Sequence, residues 1–164
     1  MGPSGVGKSA LGRALAARIG LSFLEGDDFH TAENRARMAA GVALTEEDRW
    51  PWLDDLGAAL AAQAHVGAGA IMSCSCLRRT HRERLQTAAG EQLLFVALHA
   101  ERALLQRRMA GRTGHFMPAS LLDSQIALYE PPAEDEWHVS LPADQPLETL
   151  TASTIEAVRV GRIP

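Results

Sequence analysis

Apolar residues recur every three or four positions along several stretches and gather into short blocks between them. Leu11, Leu15 and Ile19 fall on one face of a helix over 8–19, which Gly20 ends. Leu21–Leu24 reads as a short strand running into Glu25-Gly26-Asp27. Residues 29–40 are helical in pattern and break at Gly41, with Asp28 placed to cap them. Trp50, Leu53, Leu56, Leu60 and Ala64 predict a long helix over 46–64, with Pro51 in its first turns. Ala70–Cys74 forms an apolar strand block, 78–88 a basic helix, and Leu93–Leu98 a further strand. Helices over 101–110 and 120–129 flank a loop at 111–118, and Pro131-Pro132 stops the second. A strand over 137–141 and a helix over 146–160 close the chain. Strands alternating with helices predict an α/β fold, a parallel sheet covered on both faces in three layers. No repeat or composition break divides residues 1–164, so a single domain is expected.

Composition narrows the function classes. A chain of 164 residues with 46% hydrophobic and 22% charged positions reads as globular and soluble. Its uncharged apolar runs fall short of the roughly 20 residues of a membrane helix, and no secretory signal opens it, so no membrane partner is expected. The net charge of −4 argues against a general nucleic-acid binder. Cys74 and Cys76 are too close in sequence for an easy disulfide and read as buried thiols of a reducing, cytoplasmic compartment. Lys8 is the only lysine among 16 basic residues, which draws attention to its surroundings.

Residues 2–9, Gly2-Pro3-Ser4-Gly5-Val6-Gly7-Lys8-Ser9, match G-x-x-x-x-G-K-[ST], the P-loop. The glycines let backbone N–H groups curl around a phosphate without Cβ clashes, and the helix that follows points its positive end at the same anion. Gly2, Ser4, Gly5, Val6, Gly7, Lys8, Ser9 and Ala10 are therefore the expected nucleotide-binding set. Lys8 reaches the β/γ oxygens and the Ser9 hydroxyl serves Mg²⁺, so ATP and Mg²⁺ are the expected cofactors. A buried strand normally precedes this loop, and here the chain starts at the loop. Either Met1 is an internal methionine of a longer protein that supplies the strand, or the sheet is gapped or rearranged; the 164-residue form is expected to be poorly stable and weakly active.

A P-loop does not say where the phosphoryl group goes. The block Ile71–Cys74 lacks the Asp that hydrolytic switch proteins carry at a strand end, whereas Asp27 sits at the end of the preceding strand. Strand C-termini line the ligand crevice of such sheets. A carboxylate there can take a hydroxyl proton, and Asp27 is also a candidate Mg²⁺ ligand beside Ser9. The pattern favours a small-molecule kinase.

The residues beyond carry a resemblance. Glu25-Gly26-Asp27-Asp28-Phe29-His30, Asn34, Met38, Gly41, Leu44 and Asp48-Arg49-Trp50-Pro51-Trp52-Leu53 resemble the gluconokinase signature. The likeness continues through Cys74–Arg82, Arg112-Thr113-Gly114-His115-Phe116, Ser124-Gln125, Glu130-Pro131 and Asp144-Gln145-Pro146-Leu147, nearly the whole chain. The resemblance implies ATP-dependent phosphorylation of D-gluconate at its 6-hydroxyl, a three-layer P-loop fold with strand order 2-3-1-4-5 and strand 1 missing here, and a homodimer. It departs from the family pattern with Glu25 for Asp, Thr31 for Pro, Ala43 for Pro, Glu46 for Asp, Arg78 for Lys and His81 for Tyr.

An acceptor with a carboxylate and five hydroxyls needs a cation and several polar groups. Arg49 and Arg82, with Arg78 third, are the candidates for the carboxylate, since Arg grips one bidentately. His30 is the candidate for a sugar hydroxyl, while Trp50 and Trp52 are expected to pack the long helix. The resemblance makes 111–118 a lid, puts Arg112 on the transferring phosphoryl group, stacks Arg108 on adenine and sets Gln145-Pro146 at its border. Two other readings stand beside this one. Another small-acid kinase, such as a shikimate kinase, would carry three glycines where Cys74-Ser75-Cys76 stands. A nucleotide-binding protein without turnover would fit the missing strand.

Overall fold

A computed structural model describes residues 1–111 and 121–159. The elements run α1 (Lys8–Ile19), β1 (Ser22–Glu25), a 3₁₀ turn (Gly26–Phe29), α2 (Ala32–Ala39), α3 (Glu46–His65), β2 (Ala70–Ser73), α4 (Arg79–Ala89), β3 (Phe95–His99), α5 (Arg102–Ala110), α6 (Leu121–Leu128), β4 (His138–Pro142) and α7 (Leu147–Arg159). The chain is α/β, and its strand pairs are parallel: β1 with β2, and β3 with β4.

Helix ends follow local chemistry. Gly20 and Gly90 take left-handed conformations that close α1 and α4. Asp28 does not cap α2. It lies within the 3₁₀ turn, and Thr31 caps α2 instead, its hydroxyl accepting the Asn34 N–H at 3.1 Å. Thr45 and Asp48 form a reciprocal capping box that starts α3.

Period-2 alternation sends each strand's side chains to two cores. Phe95 and Ala97 of β3, with Met72 of β2, join Trp52, Leu53 and Leu56 of α3 and Leu85 of α4. Val96 and Leu98, with Ile71, face the other way onto Leu11 and Leu15 of α1, Leu105 of α5 and Leu150 of α7. These are the three expected layers.

The sheet comes as two halves, β1–β2 and β3–β4, and the tip of the chain lies between them. The Met1 N–H donates to Val96 O, Leu98 N–H to Met1 O at 3.0 Å, and Gly2 N–H to Ser75 O at 3.1 Å. Strands two positions apart are about 9.6 Å from each other and cannot hydrogen-bond directly, and these two residues join the halves.

Candidate active site

Residues 2–7 fold as a loop that feeds α1. Gly2, Gly5 and Gly7 hold φ of 131°, 81° and 108°. At Gly2 and Gly5 a side chain is excluded as well as strained. A Cβ on Gly2 would sit 2.5 Å from Leu98 O, and one on Gly5 would sit 3.0 Å from Met109 Cγ and 3.2 Å from Leu105 O. The Gly7 N-cap offers no side chain to the first amides of α1, so that helix end keeps its positive pole for an anion. Val6 is buried in the core and anchors the loop, while Ser9 and Ala10 lie in the first turn of α1. Lys8 Nζ donates to Pro3 O at 3.1 Å, which folds the lysine back over the loop it serves.

Gln125, given no role by sequence reasoning, fixes this loop from outside. Its Oε1 accepts the Ser4 N–H at 2.7 Å across 121 positions of sequence, a separation over which no local pattern signals contact. Arg108 spans the nucleotide side, donating to Val6 O at 3.2 Å and to Ala143 O at 2.7 Å. It thereby ties the loop to the turn that carries exposed Gln145 and Pro146. Arg112 and the lid beyond Gly111 lie outside the described residues.

Asp27 is half-buried in the 3₁₀ turn at the C-terminal end of β1, and its carboxylate makes no side-chain hydrogen bond among the described residues. Glu25, just before it, is engaged elsewhere: it accepts from Ser73 Oγ and pairs with Arg13 at 3.2 Å. His30 is buried and stacks on Trp52 at 4.4 Å, and Trp52 donates its indole N–H to Gly26 O at 2.8 Å. Trp52 thus packs the helix, as expected, and also backs the His30 ring.

Arg49 and Arg78 meet around one carboxylate. Glu46 Oε1 lies 3.9 Å from Arg49 Nε and 3.8 Å from Arg78 Nη1, and Glu46 Oε2 is 2.8 Å from His81 Nε2. Arg49 also donates to Leu44 O at 3.2 Å. Burial pulls the Arg49 proton affinity down, with Glu46 opposing, so its charge is incompletely compensated. Among the described residues, three buried side-chain nitrogens lack a partner: His30 Nδ1, Arg49 Nε and Arg78 Nε. All three belong to residues chosen from sequence for the acceptor. Orphaned buried donors of this kind are costly unless a ligand completes them.

Arg82 must be corrected. It is 1% exposed and its guanidinium is occupied: Nε and Nη2 donate to Glu136 at 2.5 and 2.8 Å, and Nη1 donates to Glu130 O at 3.0 Å and Cys76 O at 3.4 Å. Those bonds hold the Glu136 carboxyl below its ordinary range. Arg82 braces α4 against the 130–136 segment instead of facing an acceptor.

Burial, with Arg49 and Arg35 adding, lowers the His30 imidazole from 6.5 to about 4. Between those values the unfolded chain binds the extra proton, so the neutral folded ring contributes stability above pH 6.5 that is lost as pH falls through 4. The expected loss is at most a few kcal/mol, at about 1.4 kcal/mol per unit. Denaturant melts of wild type and His30→Gln across pH 7 to 4 check this: the wild type should fall more steeply, and equal slopes would remove the assignment.

Phosphate loop, strand-end carboxylate and paired arginines on a parallel α/β sheet define a P-loop kinase of a small acidic acceptor. A family profile described as an AAA domain matches residues 1–132. A probable gluconokinase of Mus musculus is 37% identical over 97% of this chain and 95% of its own length. A sugar kinase from Janibacter sp., solved without ligand, superposes with TM-score 0.92 at 41% identity, covering 97% of this chain and 91% of that one. A gluconokinase from Sinorhizobium meliloti gives TM-score 0.81 at 39% identity, covering 99% and 94%. The chain belongs to the gluconokinase family.

Proposed function

We propose that this chain transfers the γ-phosphoryl group of ATP to the 6-hydroxyl of D-gluconate. The observation that carries the acceptor is the trio of buried nitrogens on His30, Arg49 and Arg78, two guanidiniums and an imidazole that find no hydrogen-bond partner there among the described residues. A sugar acid brings the matching carboxylate and hydroxyls.

Each residue then has a task. The amides of Gly5, Gly7, Lys8 and Ser9, at the uncapped start of α1, take the phosphates. Arg108, with Gln145 and Pro146, borders the base. Mg²⁺ fits the hard oxygen donors Ser9 and Asp27, and when bound it offsets charge on the β and γ oxygens. Asp27 accepts the proton of the 6-hydroxyl as its oxygen bonds to γ-phosphorus. The bond from γ-phosphorus to the bridging oxygen breaks, and ADP leaves. Lys8 stabilises the charge that builds on that leaving group. Arg112, from the lid, is assigned to the equatorial oxygens, and closure keeps out water as a rival acceptor. The two buried free thiols suit a cytoplasmic, reducing setting.

The test is a coupled assay of ADP release with ATP and a panel of sugar acids, run on wild type and Asp27→Asn. Gluconate should be turned over, and the variant should lose about 10²–10⁴ in kcat with ATP affinity kept. An unchanged kcat with weakened ATP binding would remove Asp27 as the proton acceptor and leave it a metal or structural role alone.

A further inference from the structure

Glu46 of α3 and His81 of α4 are in direct contact. His81 Nε2 and Glu46 Oε2 lie 2.8 Å apart, across 35 positions of sequence and between two helices. Asp in place of Glu46 would lose a methylene and Tyr in place of His81 would reach further, so those two substitutions offset each other in length. Neither is an isolated surface substitution, since the His81 side chain is 1% exposed.

The local geometry also sets the protons. The Arg78 N–H donates to His81 Nδ1 at 3.4 Å, so Nδ1 is the acceptor and Nε2 carries the hydrogen given to Glu46. Burial likewise favours the neutral ring. Two guanidiniums, Arg49 and Arg78, share the one carboxylate of Glu46, which leaves room for a second carboxylate from the acceptor. The remaining Glu46 oxygen, Oε1, faces both arginines at 3.8–3.9 Å. Held by His81, that carboxylate fixes where each guanidinium sits while leaving both Nε atoms without a hydrogen-bond partner among the described residues.

We infer that Glu46 and His81 act as one compensated pair of positioning residues, which aims Arg49 and Arg78 at the acceptor's carboxylate. The inference rests on the gluconate reading above. Neither residue touches the phosphoryl group, so the pair acts on acceptor binding and leaves the chemical step alone.

A double-mutant cycle tests it. Wild type, Glu46→Asp, His81→Tyr and the double variant, whose length changes compensate, are compared for kcat, gluconate KM, ATP KM and melting temperature. Each single change should raise gluconate KM about tenfold, with kcat and ATP KM within about threefold. The double variant should return gluconate KM to within about threefold of wild type. Glu46→Gln, nearly isosteric and at the solvent-facing edge, should raise gluconate KM whether or not His81→Tyr folds. Unchanged gluconate KM in Glu46→Gln, or additive losses in a folded double variant, would overturn the pairing. Losses shared by kcat, ATP KM and melting temperature would make the pair a purely structural brace and also overturn it. Failure of the wild type to turn over gluconate would sink the gluconate reading itself, a result distinct from any pattern among the variants.

Discussion

Lys8→Ala should abolish phosphoryl transfer while leaving the fold intact. Lys8 is half-buried in the first turn of α1, and its ammonium is held over the phosphate loop by Pro3 O at 3.1 Å. Removing it deletes none of the apolar contacts that build either core. On the proposed mechanism, what is lost is the charge that meets the β/γ oxygens as the bond to the leaving group breaks. A preorganised donor of that kind is worth about 10²–10³ in rate. No other lysine exists in the chain to stand in. The measurement is kcat from the coupled assay together with a thermal melt. A rate near that of wild type would sink the P-loop assignment, and a collapsed melt would show that Lys8 holds the fold.

How far the sequence speaks depends on the range of each interaction. Helix and strand positions were legible because burial imposes a period: Leu11, Leu15 and Leu53, Leu56 repeat at helical spacing, and Phe95–Leu98 alternates between the two cores. The phosphate loop was legible because its chemistry is contiguous. Asp28 and Thr31 are both good capping types a few residues apart, and composition does not choose between them; the 3₁₀ turn over Gly26–Phe29 carries Asp28 away from the helix start. Contacts between distant positions were silent. Nothing local to Gln125 points to Ser4, nor does anything local to Glu46 point to His81. The arginines show the same limit. Arg49, Arg78 and Arg82 are one residue type on two helices, and only their partners separate the unsatisfied pair from the saturated one.

Arg82→Met should unfold the protein more readily and leave acceptor binding in the surviving fold nearly unchanged. Arg82 and Glu136 form a buried pair, with side chains 1% and 10% exposed. Breaking such a pair from one side costs about 3–5 kcal/mol, because the remaining charge stays buried without its partner. A domain's whole stability is about 5–15 kcal/mol, so the loss is a large fraction of it. For a chain of this size that corresponds to a fall in Tm of about 6–20 °C. The carbonyls of Cys76 and Glu130 lose their donor as well, which loosens the segment between α6 and β4. Adding Glu136→Gln removes the stranded charge while keeping an oxygen for the Ala133 N–H, now 2.9 Å away. The double variant should therefore recover a substantial part of the lost Tm. Thermal melts of both variants, with gluconate KM measured below the transition, separate the two roles open to this arginine. A Tm close to wild type with a sharply raised gluconate KM would return Arg82 to the acceptor site.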